Sequence, residues 1–226
     1  MNINYSKLFA GCLVSCAIST ATLLTSCSKD EQHTDTRVTH YATINLEGDE
    51  FMVLNVGEKY TEPGYTATEG TEDITARVVV SNPLDTNVGG FYDIIYSVSN
   101  KDNFSSQVSR TIMVVNHNSI ASAYWGASSY ISDVPITITD NGDGTYTIDD
   151  LMCGYYFAYR YPGYEPTYDF HLECIFKVND DNTLTQVGSG SWYFSSNPTM
   201  AEGAYDPETG TVTWQTSNGL SVKLTK

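Results

Sequence analysis

The residues with the most distinctive chemistry in this 226-residue chain are aromatic and lie close together. Seven of the fourteen residues from Tyr155 to Tyr168 are Tyr or Phe, and the second half of the segment also holds Pro162, Gly163 and Pro166. These breakers predict a loop after Arg160, whereas a strand before it would bury alternate rings. Aromatic rings on an exposed loop form flat apolar platforms with a polar edge, and sugar rings can stack on them.

Candidate contacts to a sugar follow from this reading. The candidate glycan-binding residues are Trp192, Tyr161, Tyr164, Trp125, Arg160 and Glu165. Trp214 is a further candidate. For any single Trp, packing in the core is the favoured alternative. Tyr161 and Tyr164 lie in the predicted loop, so we expect both side chains to be exposed.

Carboxylates are plentiful near the aromatic segment, but no motif selects a catalytic pair. Glycosidases need two carboxylates that flank the scissile bond. The available acids are Asp149, Asp150, Glu165, Asp169 and Glu173. The sequence has no nucleophile-elbow, zinc-protease or phosphate-loop pattern. We therefore predict no catalytic residue, no cofactor and no metal, and we interpret the isolated His171 as structural.

A short acidic run superficially resembles a calcium loop. The residues of this run are Asp140, Asn141, Asp143 and Gly144, but the register that places Asp150 at the twelfth position makes Thr139 the first ligand. Thr is a poor first ligand in such a loop. Alternating residues on both sides instead predict a β-hairpin, with residues 136–139 and 145–148 joined by a turn.

The charge of the chain limits its partners. It has 27 acidic and 11 basic residues, a formal net charge of -16. A phosphate backbone would be repelled, so we predict no nucleic-acid partner. An acidic surface also keeps an exported protein soluble.

The elements that must position these residues are predicted to be strands, because short β-branched and aromatic runs alternate with turns. A first module has predicted strands at 51–56, 60–67 with a break at Pro63-Gly64, 76–81, 91–98 and 109–115. A second module has them at 136–139, 145–148, 170–178, 183–187, 191–194, 202–205, 211–215 and 221–225. The fold class is all-β: a sandwich followed by an antiparallel meander barrel or sandwich.

The first residues read as a processing signal. Lys7 is followed by an uncharged stretch, Leu8–Leu24, that is short for a spanning helix. It ends in Leu23-Leu24-Thr25-Ser26-Cys27, which resembles the lipobox of bacterial lipoproteins. In that family the Cys is diacylglycerylated, the signal is cut before it and the new amine is acylated. The resemblance implies lipidation of Cys27 and a membrane anchor; the alternative is an ordinary secretory signal.

The residues after Cys27 predict a flexible tether. Residues 28–41 lack apolar periodicity. The stretch Ser28-Lys29-Asp30-Glu31 resembles the signal that sends Bacteroidetes lipoproteins to the outer face of the outer membrane; the alternative is a solvated linker. Of the remaining cysteines, Cys153 and Cys174 could pair in an oxidising compartment, and two buried free thiols are the alternative.

The first module resembles the bacterial Ig-like surface modules. The resemblance is carried by Val56-Gly57-Glu58, Tyr60–Ala67, Asp73-Ile74-Thr75, Gly90-Phe91-Tyr92 and the closing Arg110–Val115. It implies an Ig-like β-sandwich acting as a spacer or docking unit without catalytic residues. Arg110 is expected to face solvent or to cap a carboxylate, with a ligand contact as the alternative.

The whole organisation resembles accessory surface lipoproteins of Bacteroides polysaccharide-utilisation loci. The predicted parts are a signal peptide (1–26), acylated Cys and tether (27–41), Ig-like sandwich (42–116) and Tyr-rich β domain (119–226). The resemblance implies a non-catalytic outer-membrane lipoprotein exposed on the cell surface, with the periplasmic face as alternative. Its expected partners are the membrane through the lipid, a glycan and outer-membrane importer proteins. The alternative functions are a structural or adhesive protein and a small glycoside-processing enzyme.

Overall fold

Strands dominate the structure, a computed structural model that describes residues 38–164 and 167–226. The predicted signal peptide, Cys27 and Glu165 lie outside these residues. The described part of the chain holds fifteen β-strands, a 3-10 turn (Thr75–Arg77) and a π-helical segment (Tyr155–Arg160). The all-β prediction is confirmed. Among the described residues, no helix is long and apolar enough to span a bilayer.

The first seven strands form two facing sheets. Their bounds are β1 Ala42–Leu46, β2 Phe51–Asn55, β3 Tyr65–Glu69, β4 Glu72–Asp73, β5 Val79–Ser81, β6 Gly90–Ser99 and β7 Ser105–Val115. One sheet has the order β1-β3-β4 and the other β2-β7-β6-β5. Strands β2 and β7 are parallel. Inward side chains such as Leu54, Ala67, Ile94 and Ile112 form the buried core between the sheets.

Arg110 lies inside this sandwich. Its guanidinium is fully buried, and its Nη2 donates to the carbonyl of Glu47 at 2.7 Å and to Glu62 Oε1 at 3.3 Å. Burial alone would raise the pKa of Glu62, but the hydroxyls of Tyr96 and Tyr60, together with Arg110, lower it. The expectation that Arg110 faces solvent is therefore wrong, whereas the expected carboxylate partner is present.

The last eight strands form a closed barrel. Their bounds are β8 Ser122–Ser128, β9 Val134–Asp140, β10 Tyr146–Ile148, β11 Cys174–Val178, β12 Thr183–Ser189, β13 Met200–Asp206, β14 Thr211–Thr216 and β15 Ser221–Thr225. Each strand pairs with the next, and β15 closes the barrel against β8. This is the meander barrel named among the predicted alternatives. Its interior is filled by large apolar side chains, including Tyr124, Ile136, Phe176 and Trp214.

Single elements differ from the prediction. The hairpin is confirmed, since β9 and β10 pair with Asp140 opposite Tyr146. Residues 170–178 form a strand only from Cys174, and residues 191–194 form none. The amide of Leu172 donates to Asp150 Oδ1 at 3.2 Å, and the carbonyl of Phe170 accepts from Trp192 Nε1 at 3.1 Å. In both cases a side chain is the hydrogen-bond partner of a backbone group that a neighbouring strand would otherwise pair with.

The sandwich and the barrel pack against each other, and His40–Lys226 form one compact unit. Trp125 on β8 contacts the rings of Phe51 and Phe91, with centroids 5.7 and 5.4 Å away. Met113 and Ala123 are buried beside them. Lys226 Nζ donates to the carbonyls of Asn116 and Ser119 in the connecting segment, each at 2.7 Å. The domain boundaries given above stay a prediction.

Candidate aromatic binding site

The predicted aromatic segment lies in the long connection between β10 and β11, and one carboxylate holds both of its ends. Asp150 is buried and accepts from the backbone amides of Met152 (3.0 Å), Gly154 (2.7 Å) and Leu172 (3.2 Å). Burial raises the pKa of Asp150, and these backbone donors oppose the rise. The segment from Gly154 to Leu172 is therefore pinned at both ends to the same side chain.

The segment begins with a π-helical turn. Gly154 precedes it with φ of +74°, and its carbonyl accepts from the amides of Ala158 (2.9 Å) and Tyr159 (3.2 Å). A Cβ on Gly154 would lie 2.8 Å from Cγ2 of Val134, so both the backbone and the packing require glycine here. The wide turn leaves Tyr155, Tyr156 and Phe157 half-buried, where a strand would have buried alternate rings.

Beyond the turn, six rings converge on an open cavity of about 270 Å³, which we call the aromatic pocket. It is lined by Tyr161, Tyr164, Tyr168, Phe170, Tyr193 and Phe194. Phe170 is buried and lies at its base, with ring centroids 5.2 Å from Tyr161 and 5.1 Å from Tyr193. Tyr164, Tyr168 and Tyr193 remain 53%, 41% and 56% exposed. The pocket thus presents several solvent-facing aromatic surfaces on a fixed base.

A second open cavity of about 350 Å³, the polar pocket, adjoins the first. It is lined by Tyr156, Trp192, Phe194, Ser195, Ser196, Asn197, Pro198, Ser217 and Asn218. Phe194 belongs to both pockets. Trp192 meets Phe194 and Tyr156 edge-on, at 4.8 and 5.1 Å between centroids. Apart from these rings and Pro198, the lining of the polar pocket consists of serine hydroxyls and asparagine carboxamides.

The structure brings some of the predicted contact residues together. Tyr161 and Tyr164 lie in the aromatic pocket and Trp192 lies in the polar pocket. Both tyrosine side chains were expected to be exposed. Tyr164 is exposed, whereas Tyr161 is half-buried. Arg160 is exposed, and its guanidinium carbon lies 5.7 Å from the centroid of the Tyr161 ring.

The remaining candidates lie elsewhere. Trp125 packs against the sandwich and takes no part in either pocket. Trp214 is buried in the barrel, where its Nε1 donates to the carbonyl of Leu151 at 3.0 Å. Glu165 is outside the described residues. Sequence reasoning assigned residues 191–194 to a strand, and it therefore missed Tyr193 and Phe194; the run Trp192-Tyr193-Phe194 was the available signal.

Neither cysteine of the barrel is arranged for chemistry. Cys153 and Cys174 are free thiols in the core, so the structure has the second of the two predicted alternatives and not the disulfide. Burial raises the pKa of each thiol to about 12. Both therefore stay protonated and unreactive at neutral pH.

The nearby acids are engaged by the protein itself. Asp149 Oδ2 accepts from the amide of Thr137 at 2.9 Å, and burial raises the pKa of Asp149 to about 6. Asp169 pairs with His171, Oδ1 to Nδ1 at 2.7 Å, and the ring of His171 stacks on Phe157. Within residues 38–164 and 167–226, no three acids, histidines or cysteines group as a metal site would require.

Comparisons with known proteins place the chain in a family. The model of the bacterial surface protein Ig-like domain matches residues 44–114, and the model of a C-terminal domain family matches residues 110–226, more than half of the chain. The crystal structure of lipoprotein BT2262 from Bacteroides thetaiotaomicron is 30% identical, with a TM-score of 0.58 over 81% of this chain and 98% of that one. The chain belongs to this family of Bacteroides lipoproteins.

Two further solved structures are more distant. Both come from ZmpB of Clostridium perfringens. One is the M60 catalytic domain with the CBM51-1 and CBM51-2 domains: 18% identity, TM-score 0.28, 77% of this chain and 14% of that one. The other is CBM51-2 in complex with GlcNAc and INT domains: 15% identity, TM-score 0.27, 81% and 43%. These scores are too low to bear on function. The search of curated proteins gave no match.

Proposed function

We propose that this surface lipoprotein binds a polysaccharide or oligosaccharide through the aromatic pocket. The observation that carries the proposal is the convergence of six rings on one open cavity, with Tyr164, Tyr168 and Tyr193 each more than two-fifths exposed. Exposed aromatic faces around a concave surface are typical of ligand sites. The faces offer apolar area to sugar C–H groups, and the phenol hydroxyls can bond to sugar hydroxyls.

The site supports binding and not chemistry. Asp150 is occupied by three backbone amides, and Asp149 accepts from the amide of Thr137. Neither carboxylate lines the aromatic or the polar pocket. A glycosidase would need two such groups at the bond that is cleaved. The proposal includes an anchor through the lipid on Cys27 and a place beside an outer-membrane glycan importer, to which the protein would present captured chains.

The test is a glycan array followed by affinity gels, with the purified full chain in a detergent that has no sugar headgroup. Tyr164→Ala/Tyr193→Ala removes two exposed rings from the pocket and should weaken binding at least tenfold, since each buried aromatic contact contributes about 1–2 kcal/mol. Tyr41→Ala removes a comparably exposed ring from the other end of the described chain and should change nothing.

Three results would count against the proposal. Equal retention of the double variant and the unchanged protein would remove the aromatic pocket from the binding site. Retention on no glycan, together with stable co-purification with an outer-membrane protein, would favour the adhesive function instead. Release of shorter sugars from a bound glycan would identify an enzyme.

A further inference from the structure

We infer that the aromatic pocket and the polar pocket are two consecutive subsites for one uncharged oligosaccharide, which crosses the ring of Phe194. The inference rests on the proposed function and adds the length and charge class of the ligand. It is carried by the sharing of Phe194 between the two pockets and by the chemistry of their linings.

Phe194 is held as a fixed divider between the pockets. On the aromatic side its ring is stacked on Phe170, with centroids 5.9 Å apart at an interplanar angle of 20°. On the polar side it meets Trp192 at 4.8 Å and Tyr156 at 5.0 Å. Rings packed on both sides have little freedom to move, so a ligand that spans both pockets needs no rearrangement of this ring.

The polar pocket offers donors and acceptors that suit sugar hydroxyls. Asn197 Nδ2 donates to Ser189 Oγ at 3.2 Å and to the carbonyl of Gly190 at 3.3 Å, which leaves its amide oxygen as an acceptor. Asn218 Oδ1 accepts from the hydroxyl of Thr216, which leaves its amino group as a donor. The exposed hydroxyls of Ser195 and Ser196 can serve as either.

The linings explain why the ligand should be uncharged. Among the described residues, neither pocket is lined by Asp, Glu, Lys or Arg. Of the neighbouring charges, Arg160 lies against the Tyr161 ring and lines neither pocket, and Asp169 is bonded to His171. A uronate or sulfate in either pocket would lose hydration without gaining a counter-charge. The net charge of -16 would repel it as well.

A length series tests the inference. The probes are the mono-, di- and tetrasaccharides of the malto-, cello-, manno- and xylo-oligosaccharides, with tetragalacturonate as the acidic counterpart. Titration of the full chain by calorimetry, or by NMR for weak binding, should show a tetrasaccharide binding about tenfold tighter than its monosaccharide. Tetragalacturonate should bind at least tenfold more weakly than the best neutral tetramer.

Variants separate the two subsites. Ser195→Ala/Asn218→Ala should weaken the tetrasaccharide about tenfold and leave the monosaccharide unchanged. Thr216 keeps its bond to the amide of Leu220 at 3.0 Å, so the fold should tolerate the change. Tyr164→Ala/Tyr193→Ala should weaken both ligands. Asn87→Ala, an exposed Asn on the sandwich, should weaken neither.

The outcomes are distinguishable from failure of the proposed function. If no probe binds, both proposals fall. Saccharides could bind through the aromatic pocket with an affinity that does not depend on their length, or that does not change in Ser195→Ala/Asn218→Ala. Either result would overturn the second subsite and leave the binding function standing. If tetragalacturonate binds tightest, the uncharged class is overturned and the binding function again stands.

Discussion

Burial raises the pKa of both adjacent carboxylates, Asp149 and Asp150, but the two side chains differ in their hydrogen-bond partners. The Asp150 carboxylate accepts hydrogen bonds from three backbone amides. The Asp149 carboxylate accepts from the amide of Thr137 through Oδ2, and Oδ1 of Asp149 is buried without a hydrogen-bond partner in the described structure. Burial raises the pKa of Asp149 to about 6, and the charge of Asp150 adds to the rise. A buried acid with one orphaned oxygen prefers to be protonated.

This sets a pH dependence of stability. The folded pKa lies above the ordinary 3.8, so the stabilisation from protonated Asp149 is complete below about pH 4 and is lost as the pH rises through 6. Asp149→Asn cannot titrate. Relative to this variant, the unchanged protein should therefore gain on the order of 2 kcal/mol in unfolding free energy between pH 7.5 and pH 4.5, measured by urea denaturation.

An exposed aspartate supplies the control. The hydroxyl and amide of Thr145 lower the pKa of Asp143 in the hairpin turn, so its contribution has the opposite sign and is lost as the pH falls. Asp143→Asn should therefore not reproduce the Asp149→Asn profile. A constant difference between the unchanged protein and Asp149→Asn at both pH values would show that Asp149 is ionised in the fold.

At the scale of elements, the aromatic segment is an irregular insertion held by a regular barrel. Leu151, Met152 and Cys153 belong to the barrel core, and the Asp150 carboxylate joins the start of the segment to its end. The segment needs such fixing because it has few ladder hydrogen bonds of its own.

Asp150→Ala should release both ends of the aromatic segment. Three buried amides would lose their acceptor, at a cost of about 3–5 kcal/mol in unfolding free energy. Asp150→Asn retains one acceptor oxygen and should lose less. Hydrogen exchange should accelerate at the amides of Met152, Gly154 and Leu172 before the barrel strands are affected.

Thr137→Ala provides a comparison, because its side chain lies on the neighbouring strand β9 and makes no bond to Asp150. It should leave those three amides protected. Unchanged exchange at these positions in Asp150→Asn and Asp150→Ala would mean that the segment is held by its ring contacts alone.

Strands with local signals could be predicted from the sequence, and the site could be predicted only in part. The β9–β10 hairpin carries its own turn residues, and the repeated short apolar runs indicated a barrel as one of two architectures. The segment 191–194 holds three consecutive aromatic residues, which favour strands. It is irregular because Trp192 bonds to the carbonyl of Phe170 and its neighbours pack on rings that are distant in sequence. Contacts of this range leave no local pattern.

The same limit applies to Arg110 and Trp125. A lone Arg on a strand is usually exposed, but three carbonyls and Glu62 from the loops of the sandwich converge on Arg110. Trp125 is of a residue type that often forms a platform for a ligand. Only the packing of the sandwich on the barrel shows that its partners are Phe51 and Phe91.

For the whole molecule, the contact between the sandwich and the barrel should make them unfold together. Trp125→Ala removes the ring that contacts both Phe51 and Phe91 and should cost about 2–3 kcal/mol, less than a fully buried Trp. Scanning calorimetry should then resolve two transitions where the unchanged protein shows one. Trp192→Ala removes a ring from the polar pocket and should keep a single transition. Identical calorimetric traces for Trp125→Ala and the unchanged protein would show that the Trp125 ring does not couple the two parts.

The parallel pair β2–β7 has a mechanical consequence. Strand β7 runs on towards the barrel, whereas β2 follows β1, which is the first strand of the sandwich and belongs to the other sheet. Tension applied between the N-terminal side and the barrel would first load the pair β1–β3. Once β1 is detached, the tension would pull β2 and β7 along their length in opposite directions. The five pairs from Phe51–Thr111 to Asn55–Val115 must then break together under shear and cannot be unzipped one after another. The sandwich would therefore resist such tension as a stiff element.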